Sequence, residues 1–335
     1  MARTALIIGV DGQDGSHLAE LLLSKGYEVH GLARSSSTSA WGRIGHLDPK
    51  PRDPEGRLFL HESDLVNSSP LLTTIFSLKP NEVYNLCEGS QFAATSEAPG
   101  HTPGSLAVGT LGLLEAIRFA NWPVRFYQAG SSDMFGRVFE TPQTEKTPFN
   151  PRGADAVANV FAHYMTVEYR EAYGLHASNG ILFNHESPRR GGTFVSRKVT
   201  QAIAGILQGT IETIYLGNLD AGRDWGYAPE FVDAMWRMLQ QDQGDDYVIA
   251  TGETHTVREL VECAFGFVGL DWRNHVESDP AHIQPTEPDV LAGNPSKARD
   301  HLGWEPSVKF TNLVGILLHS ALTDAGLDPD HYIRG

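Results

Sequence analysis

The chain has 335 residues, of which 41% are hydrophobic and 20% are charged, a composition typical of a folded globular protein and not of a disordered or fibrous one. A chain of this length can form a large apolar core and two packed lobes. The formal charge of −15 argues against a nucleic-acid-binding surface, because contacts to phosphates require clustered Lys and Arg side chains.

The first half of the chain alternates short aliphatic runs with amphipathic segments, as parallel βαβ units do. Strands are predicted at residues 5–8, 27–32, 58–61, 82–85, 124–128 and 177–183. Helices are predicted at residues 17–23, 71–78, 105–120 and 154–173. This order predicts an α/β fold with a parallel sheet.

After about residue 185 the sequence becomes richer in Gly, Pro, Arg and Asp, with helices predicted near residues 198–208, 229–240 and 257–268. We interpret residues 1–185, together with interleaved later segments at about 215–255, as a dinucleotide-binding domain. Residues 186–335 then form a smaller C-terminal α/β lobe that binds substrate.

A glycine-rich turn, Gly9-Val-Asp-Gly12-Gln-Asp-Gly15, lies between the first predicted strand and the first predicted helix. Glycines at this spacing let the backbone approach a pyrophosphate, and the following helix directs its free N–H groups at the negative charge. We therefore predict a Rossmann-type doubly wound sheet that binds a dinucleotide at Gly9, Gly12, Gln13, Asp14 and Gly15. A tight turn without a ligand is the alternative.

The end of the second strand indicates which dinucleotide is bound. An acidic residue there favours NAD, whereas a basic residue favours the 2′-phosphate of NADP. The strand runs into Ala33-Arg34-Ser-Ser with no carboxylate, which favours NADP and places Arg34 near the adenine ribose, with NAD as the alternative. Asp64, after the third strand, is expected near the adenine, or else it caps a helix.

Cysteine usage and the start of the chain indicate the compartment. Cys87 and Cys263 are the only cysteines, too few for a disulfide framework and without the spacing of a zinc site, so no metal is predicted. Residues 1–10 run directly into a strand pattern without a charged leader, a cleavage site or an apolar span. We expect a cytoplasmic protein without membrane contact.

Long stretches of the sequence resemble the GDP-mannose 4,6-dehydratases, a family of extended short-chain dehydrogenases. They include Phe-Asn-His-Glu-Ser-Pro-Arg-Arg-Gly and lie at residues 9–22, 25–31, 126–129, 179–191, 216–226 and 248–253. The resemblance implies that a nucleotide sugar is oxidised at C4 by hydride transfer to the cofactor, loses water across C5 and C6, and regains hydride at C6. It also implies a homo-oligomer, either a dimer or a tetramer.

The sequence departs from the family's pattern at the catalytic residues. A Thr-Ser-Glu triplet is replaced by Ser131-Ser132-Asp133, and a Tyr-x-x-x-Lys pair is replaced by Asp155 and Asn159, which share one helix face. The resemblance implies that the tyrosine takes the C4 hydroxyl proton, that the lysine lowers the tyrosine pKa, and that the glutamate acts at C5 and C6. We predict that Ser131, Asp133, Asp155 and Asn159 form an altered catalytic set. A catalytically dead relative is the alternative.

Other groups are candidates for the missing chemistry. Cys87 and Glu88 follow the fourth predicted strand, where the resemblance places the meeting point of substrate and cofactor. Glu88 is the favoured substitute acid or base, and a solvated loop carboxylate is the alternative. For His163, two turns beyond Asp155, a packing role is favoured.

The resemblance implies further contacts to both ligands. To the cofactor it assigns Leu65, Leu86, Ser90, Asn159, Leu182, Asn184, His185 and Arg190. To the substrate it assigns Asn184, Glu186, Lys198, Leu216, Gly217, Arg223 and Glu287. The Arg223 guanidinium matches the geometry of a diphosphate, whereas an exposed arginine or an ion pair with Asp220 or Asp224 is the alternative.

The sequence leaves the substrate and the activity open. Gln284 replaces an arginine that, by the resemblance, helps to hold the nucleotide diphosphate, which extends the candidates from a nucleotide sugar to a nucleoside with a hexose-like sugar. The favoured function is an NADP-dependent dehydratase. The alternatives are a non-catalytic relative that binds nucleotide or cofactor, and an epimerase or reductase of the same fold.

Overall fold

The centre of the protein is a parallel sheet of seven strands. The structure, a computed structural model, describes residues 2–33, 42–47, 56–62, 68–87, 101–279 and 290–333. Across the sheet the strands follow the order β3 (Leu58–Glu62), β2 (Glu28–Ala33), β1 (Thr4–Ile8), β4 (Glu82–Asn85), β5 (Arg125–Ser131), β6 (His176–Leu182) and β11 (Asp246–Ile249). The strand order reverses at β1, as in a doubly wound sheet.

Helices cover both faces of this sheet. Ala5 and Ile7 of β1 pack into a core that includes α1 (Gln13–Ser24) and α6 (Ala228–Met238). Leu6 and Ile8 pack into the opposite core, together with α2 (Ser68–Leu78), α3 (His101–Arg118) and α4 (Ala154–Tyr173). A strand that is buried on both faces reads as one continuous apolar run, which explains the aliphatic sequence of β1.

A second apolar core is built from the later part of the chain. Its main elements are the amphipathic helices α5 (Val195–Leu207), α7 (Val257–Phe267) and α9 (Phe310–Asp324). Three short strand pairs line the region: β7 (Asn184–Glu186) with β10 (Trp225–Tyr227), β8 (Ile214–Leu216) with β13 (Val276–Ser278), and β9 (Gly222–Arg223) with β12 (His255–Thr256). The remaining helices are α8 (Ser296–Leu302) and α10 (Pro329–Tyr332). No helix within the described ranges is long and apolar enough to cross a bilayer.

The predicted fold class, a Rossmann-type doubly wound α/β sheet, is confirmed. β11 is not among the predicted strands, and its first residue is the charged Asp246. Asp246 occurs there because its carboxylate accepts hydrogen bonds from Arg170 Nη1 at 2.8 Å and Asn179 Nδ2 at 2.8 Å. The first helix is predicted from residue 17, whereas α1 starts at Gln13.

The turn between β1 and α1 leaves no room for side chains at two glycines. Gly9 has a φ of +85°, and a Cβ at Gly15 would lie 2.2 Å from the Gly9 carbonyl oxygen. Any other residue at position 15 would push the turn and α1 apart. The close approach that the sequence motif predicts is therefore present.

We expect Gly15→Ala to lower the free energy of unfolding by about 3 kcal/mol, because the added methyl group must displace backbone atoms. Gly104→Ala is the matched control, since Gly104 also lies in a helix and a Cβ there meets nothing within 4 Å. The control should be neutral or should stabilise by up to about 1 kcal/mol. Urea denaturation followed by circular dichroism measures both, and equal stabilities would contradict the steric argument.

Candidate active site

The start of α1 has unpaired backbone donors. Gly12 is the N-cap residue and offers no side-chain cap, so the N–H groups of the first helical turn are left for another partner. Gly12 N donates to the Gly9 carbonyl at 3.0 Å, which closes the turn. This cradle, with its two tightly packed glycines, fits the pyrophosphate of a dinucleotide.

Asp14 and His185 form a buried ion pair beneath this turn. His185 Nε2 lies 2.8 Å from Asp14 Oδ2, and His185 Nδ1 donates to the Phe183 carbonyl at 2.7 Å. Burial alone would lower the pKa of His185, but the charge and hydrogen bond of Asp14 raise it above its ordinary value. Burial opposes ionisation of Asp14 too, yet His185 holds the pKa of this carboxyl below its ordinary value.

Gln13 extends this contact to the loop after β7. Its Nε2 donates to the His185 carbonyl at 3.0 Å, and its Oε1 accepts from Ser187 Oγ at 2.8 Å. The side chains of Gln13 and Asp14, predicted as cofactor contacts, thus reach across to His185 and its neighbour Ser187. His185 also lines a cavity, described next.

A cavity of about 150 Å³ lies at the carboxyl ends of β5 and β6. It brings together most of the predicted catalytic residues and several predicted cofactor contacts: Ser131, Asp133, Asp155, Asn159, Leu182, Asn184, His185 and Arg190. Crevices at this edge of a doubly wound sheet are the usual ligand sites of the fold. We call it the smaller cavity.

Ser131 and Asp133 sit where β5 turns into a short 3₁₀ segment, Ser132–Phe135. Ser131 Oγ accepts from Asp133 N at 3.1 Å, which caps the segment and fixes the two side chains relative to each other. Asp133 is exposed to the cavity, and the protein atoms packed around it still make its carboxyl harder to ionise. This desolvation raises the pKa of the Asp133 carboxyl. The charge of Asp155 adds to the rise, whereas the charge of Arg223 opposes it. A raised pKa makes this carboxyl a better proton carrier than an ordinary aspartate.

Asp155 and Asn159 come from the first two turns of α4. Asn159 is buried, and its Nδ2 donates to the Asp155 carbonyl at 3.0 Å, so the amide is turned towards the helix backbone. The Asp155 side chain is half-buried and lines the cavity wall. Among the residues that the structure describes, none forms a hydrogen bond or ion pair with this carboxylate.

An adjoining cavity of about 590 Å³ shares five lining residues with the smaller one: Asp133, Asp155, Ala156, Asn184 and Phe194. We call it the larger cavity, and four predicted substrate residues line it: Lys198, Leu216, Gly217 and Arg223. Its wall also contains residues that the sequence analysis did not single out: Arg152, Thr193, Phe194, Asn218 and Trp225.

Two cations of the larger cavity are held by main-chain carbonyls. Lys198 Nζ donates to the Tyr215 carbonyl at 2.6 Å, and Arg223 Nη1 donates to the Gly222 carbonyl at 2.8 Å. Arg223 is buried, which argues against the exposed alternative. Of its acidic neighbours, Asp220 pairs with Arg258 at 2.9 Å.

Arg190, Glu186 and Phe194 form a packed group between the cavities. The Arg190 guanidinium lies 3.6 Å from the Phe194 ring centroid, and its Nε is 3.5 Å from Glu186 Oε2. Glu186, predicted as a substrate contact, is buried and also accepts a hydrogen bond from Ser196. Its carboxylate therefore stabilises the neighbouring Arg190 guanidinium. Phe194 could have been identified from the sequence, because it is an aromatic residue between a glycine-rich loop and an amphipathic helix.

Some of the remaining predicted residues lie in the part of the chain that the structure describes, and the others lie outside it. Leu86 is buried and its carbonyl oxygen lies 3.2 Å from the position of a Cβ at Gly9, so it backs the glycine turn. His163 is buried, with Nε2 3.8 Å from Asp246 Oδ2, as the packing interpretation expects. Outside the described residues lie Arg34, Asp64, Leu65, Glu88, Ser90, Gln284 and Glu287.

Metal-ligating side chains do not converge within the part of the chain that the structure describes. No group of three or more His, Cys, Asp or Glu residues there has the geometry to hold a metal ion. Cys87 and Cys263 are not joined in a disulfide.

Comparisons with known sequences give one consistent result. A sequence model of the GDP-mannose 4,6 dehydratase family matches residues 6–317. GDP-mannose 4,6 dehydratase 1 of Arabidopsis thaliana is 50% identical over 325 residues, which cover 96% of this chain and 90% of that protein. GDP-mannose 4,6 dehydratase of Homo sapiens is 46% identical over 336 residues, which cover 94% of this chain and 90% of that protein.

Solved structures of lower identity share the fold. dTDP-glucose 4,6-dehydratase from Bacillus anthracis, in complex with NAD, aligns with a TM-score of 0.81 and 17% identity over 96% of this chain and 97% of that one. RMD from Pseudomonas aeruginosa, complexed with NADPH, aligns with a TM-score of 0.77 and 21% identity over 96% of this chain and 100% of that one. At these identities the likeness supports the fold alone.

We expect Asp14→Asn to destabilise the protein by about 3 kcal/mol, because it leaves the buried His185 without its counter-charge. The raised pKa of His185 stabilises the folded protein below about pH 6.5, and this stability is lost as the pH rises through the pKa that His185 has in the folded state. The lowered pKa of Asp14 stabilises the folded protein above about pH 4, and this stability is lost on acidification. The difference from wild type should therefore be largest between about pH 4 and pH 6.5.

Urea denaturation at several pH values measures this difference. Asp300→Asn is the control, because Asp300 is exposed and the substitution changes the net charge by the same amount. Its effect should stay within about 0.5 kcal/mol at every pH. A loss in Asp14→Asn that does not vary with pH would show that the ion pair is not its cause.

Proposed function

This chain belongs to the GDP-mannose 4,6 dehydratase family, and from that premise we propose that it is a dehydratase that eliminates water from the sugar of a nucleotide sugar. One observation carries the proposal. The hydroxyl–carboxylate pair of Ser131 and Asp133 and the carboxylate of Asp155 share one cavity at the sheet edge that also carries a dinucleotide cradle. Proton donor and proton acceptor are thereby available around one substrate.

The cofactor that we propose is NADP(H), with NAD as the alternative. The glycine turn and the uncapped start of α1 would hold its pyrophosphate, and no carboxylate stands at the end of β2 to favour NAD. When bound, a nicotinamide cofactor supplies a hydride acceptor and donor for a transient oxidation. Arg34, Asp64, Leu65, Leu86 and Ser90 are proposed around the adenosine and the sheet edge.

The proton transfers are proposed for this chain's own residues. Asp155 would take the proton of the sugar hydroxyl in place of a tyrosine, since its carboxylate has no described partner. Asp133 would take the C5 proton and pass it to the leaving C6 hydroxyl, which departs as water; its raised pKa makes the carboxylate a stronger base than an ordinary aspartate. Ser131 would orient the substrate oxygen, and Asn159 would hold a ribose hydroxyl. Glu88 stays a further candidate acid or base.

The nucleotide end of the substrate is proposed to occupy the larger cavity. Three cations, Arg152, Lys198 and Arg223, line it, and Phe194 and Trp225 add aromatic surface. Guanidinium and ammonium groups suit phosphate oxygens, and aromatic rings suit a base. Contacts from Asn184, Leu216, Gly217 and Glu287 complete this proposal, under which residues 186–335 form the substrate lobe and residues 1–185, with about 215–255, the cofactor domain.

A non-catalytic binding relative is the second candidate. The observation that favours it is the Asn159 amide, which bonds to the helix backbone where a lysine would extend into the site. Such a protein would bind cofactor and nucleotide and release no product. An epimerase or simple reductase of this fold is weaker, because both need the same activated hydroxyl chemistry.

We also propose that the protein is a cytoplasmic homo-oligomer. Its two cysteines do not form a disulfide with each other, which suits a reducing compartment. On α4, Val157, Phe161 and Tyr164 are exposed at helical spacing, so they form one apolar stripe. A second copy that packs its own α4 against this stripe would bury both surfaces through a two-fold contact.

Light scattering after size exclusion should give the mass of a dimer or tetramer, and Phe161→Arg should shift it towards the monomer. The reason is that a charge in the middle of an apolar contact must be desolvated. Phe139→Arg is the control, because Phe139 is exposed elsewhere, at 69% of its surface. A monomeric wild type, or equal effects of both variants, would remove the proposed interface.

The enzymatic proposal is tested by incubating the NADP-loaded protein with a panel of GDP-, UDP-, CDP- and ADP-sugars and nucleosides. We expect mass spectrometry to find a product lighter by one water molecule. Asp133→Asn should lower turnover by about 10²–10⁴-fold with an unchanged circular dichroism spectrum, because the group that carries the C5 proton is lost. Unchanged turnover would remove the role of Asp133, and tight nucleotide binding without any lighter product would favour the binding protein.

A further inference from the structure

The Asp155 carboxylate stands at the half of the sheet where the second nucleotide of a dinucleotide binds. In a doubly wound sheet the two mononucleotides lie on opposite sides of the point where the strand order reverses. Here that point is beside β1, where α1 begins, and β4, β5 and β6 form the second half. The smaller cavity, which Asp155 lines, opens at the ends of β5 and β6 and thus faces the nicotinamide end.

The cations of the smaller cavity are already balanced by buried anions. His185 is paired with Asp14 at 2.8 Å, and Arg190 lies 3.5 Å from Glu186 while it stacks on Phe194. Neither cation therefore neutralises Asp155. The same cavity contains Asn159, a neutral residue whose amide bonds to the main chain.

The other charged groups near the site face the larger cavity. Arg223 acts electrostatically on Asp133, and Lys198 donates to the Tyr215 carbonyl. Arg152 also lines only the larger cavity. Asp155 lines this larger cavity as well, but among the residues that the structure describes none of these cations forms an ion pair with its carboxylate. The first turn of α4 is a favourable place for a carboxylate, because the helix dipole is positive there.

We propose that Asp155 makes this site bind the oxidised nicotinamide, whose ring is positively charged, more tightly than the reduced nicotinamide, whose ring is neutral. The proposal rests on the proposed function in one respect only, that the protein binds a pyridine dinucleotide. A carboxylate stabilises a nearby cation and has little effect on a neutral ring. The oxidised form therefore gains the attraction and the reduced form does not.

This preference matches what a dehydratase needs between turnovers. A reaction with no net oxidation must end with the cofactor as it began. Asp155 favours the oxidised state at the end of the cycle, so the reduced cofactor does not accumulate in the site. In the Tyr-x-x-x-Lys pattern the equivalent helix face carries a cation, and here it carries an anion. The electrostatic bias of this helix face is reversed.

The test is to measure the dissociation constants of NADP⁺ and NADPH for the full-length, cofactor-free protein by isothermal titration calorimetry. Asp155→Asn keeps the shape and removes the charge, so it should weaken NADP⁺ relative to NADPH by about tenfold. By the thermodynamic cycle, the midpoint potential of the bound couple should rise by about 30 mV for that tenfold change. Asn159→Lys, which adds a cation one turn away, should move the ratio in the same direction.

Glu168→Gln is the matched control, because Glu168 is an exposed carboxylate on the same helix and the change in net charge is identical. Its ratio of the two dissociation constants should equal that of wild type. An unchanged ratio in Asp155→Asn, or an equal loss of affinity for both forms, would overturn the proposal. Failure of the wild type to bind either form would instead overturn the cofactor proposal, so the two failures are distinguishable.

Discussion

The buried contact between Asp14 and His185 links the two halves of the site. Asp14 belongs to the first turn of α1, next to the glycine turn. His185 belongs to β7, the first of the short strands that line the second core. Because each charge is withdrawn from water, each depends on the other for its solvation. Gln13 and Ser187 reinforce the same link by hydrogen bonds. The relative position of cradle and cavity is thereby fixed by a contact that is costly to break.

The chemistry of the site differs from the family pattern in the sign of its charge as well as in its residues. A phenol supported by an ammonium group is a base whose proton affinity is set by a neighbour. Here the same helix face carries the unpaired carboxylate of Asp155 and an amide turned to the backbone. Across the cavity, Asp133 is pushed towards its protonated form by burial and by Asp155. Two carboxyl groups in different environments can take opposite roles in proton transfer.

Much of the fold can be predicted from the sequence, because burial on both sheet faces and helical periodicity produce local sequence patterns. β1 and α4 are read at or near their true limits for this reason. β11 is not predicted, and its first residue, Asp246, is stabilised by Arg170 and Asn179, side chains from elsewhere in the fold. Likewise, the partner of Asp14 is 171 residues away in the chain, so only the folded structure reveals that both belong to one ion pair.

The position of β11 in the sheet has a consequence during synthesis. The ribosome releases β6 before the segments that build part of the second core, and β11 follows only after them. Until residues 246–249 emerge, β6 is an open sheet edge with unpaired N–H and C=O groups. Such edges pair with other chains during folding, so the nascent protein passes through an aggregation-prone stage that ends only when this late strand docks.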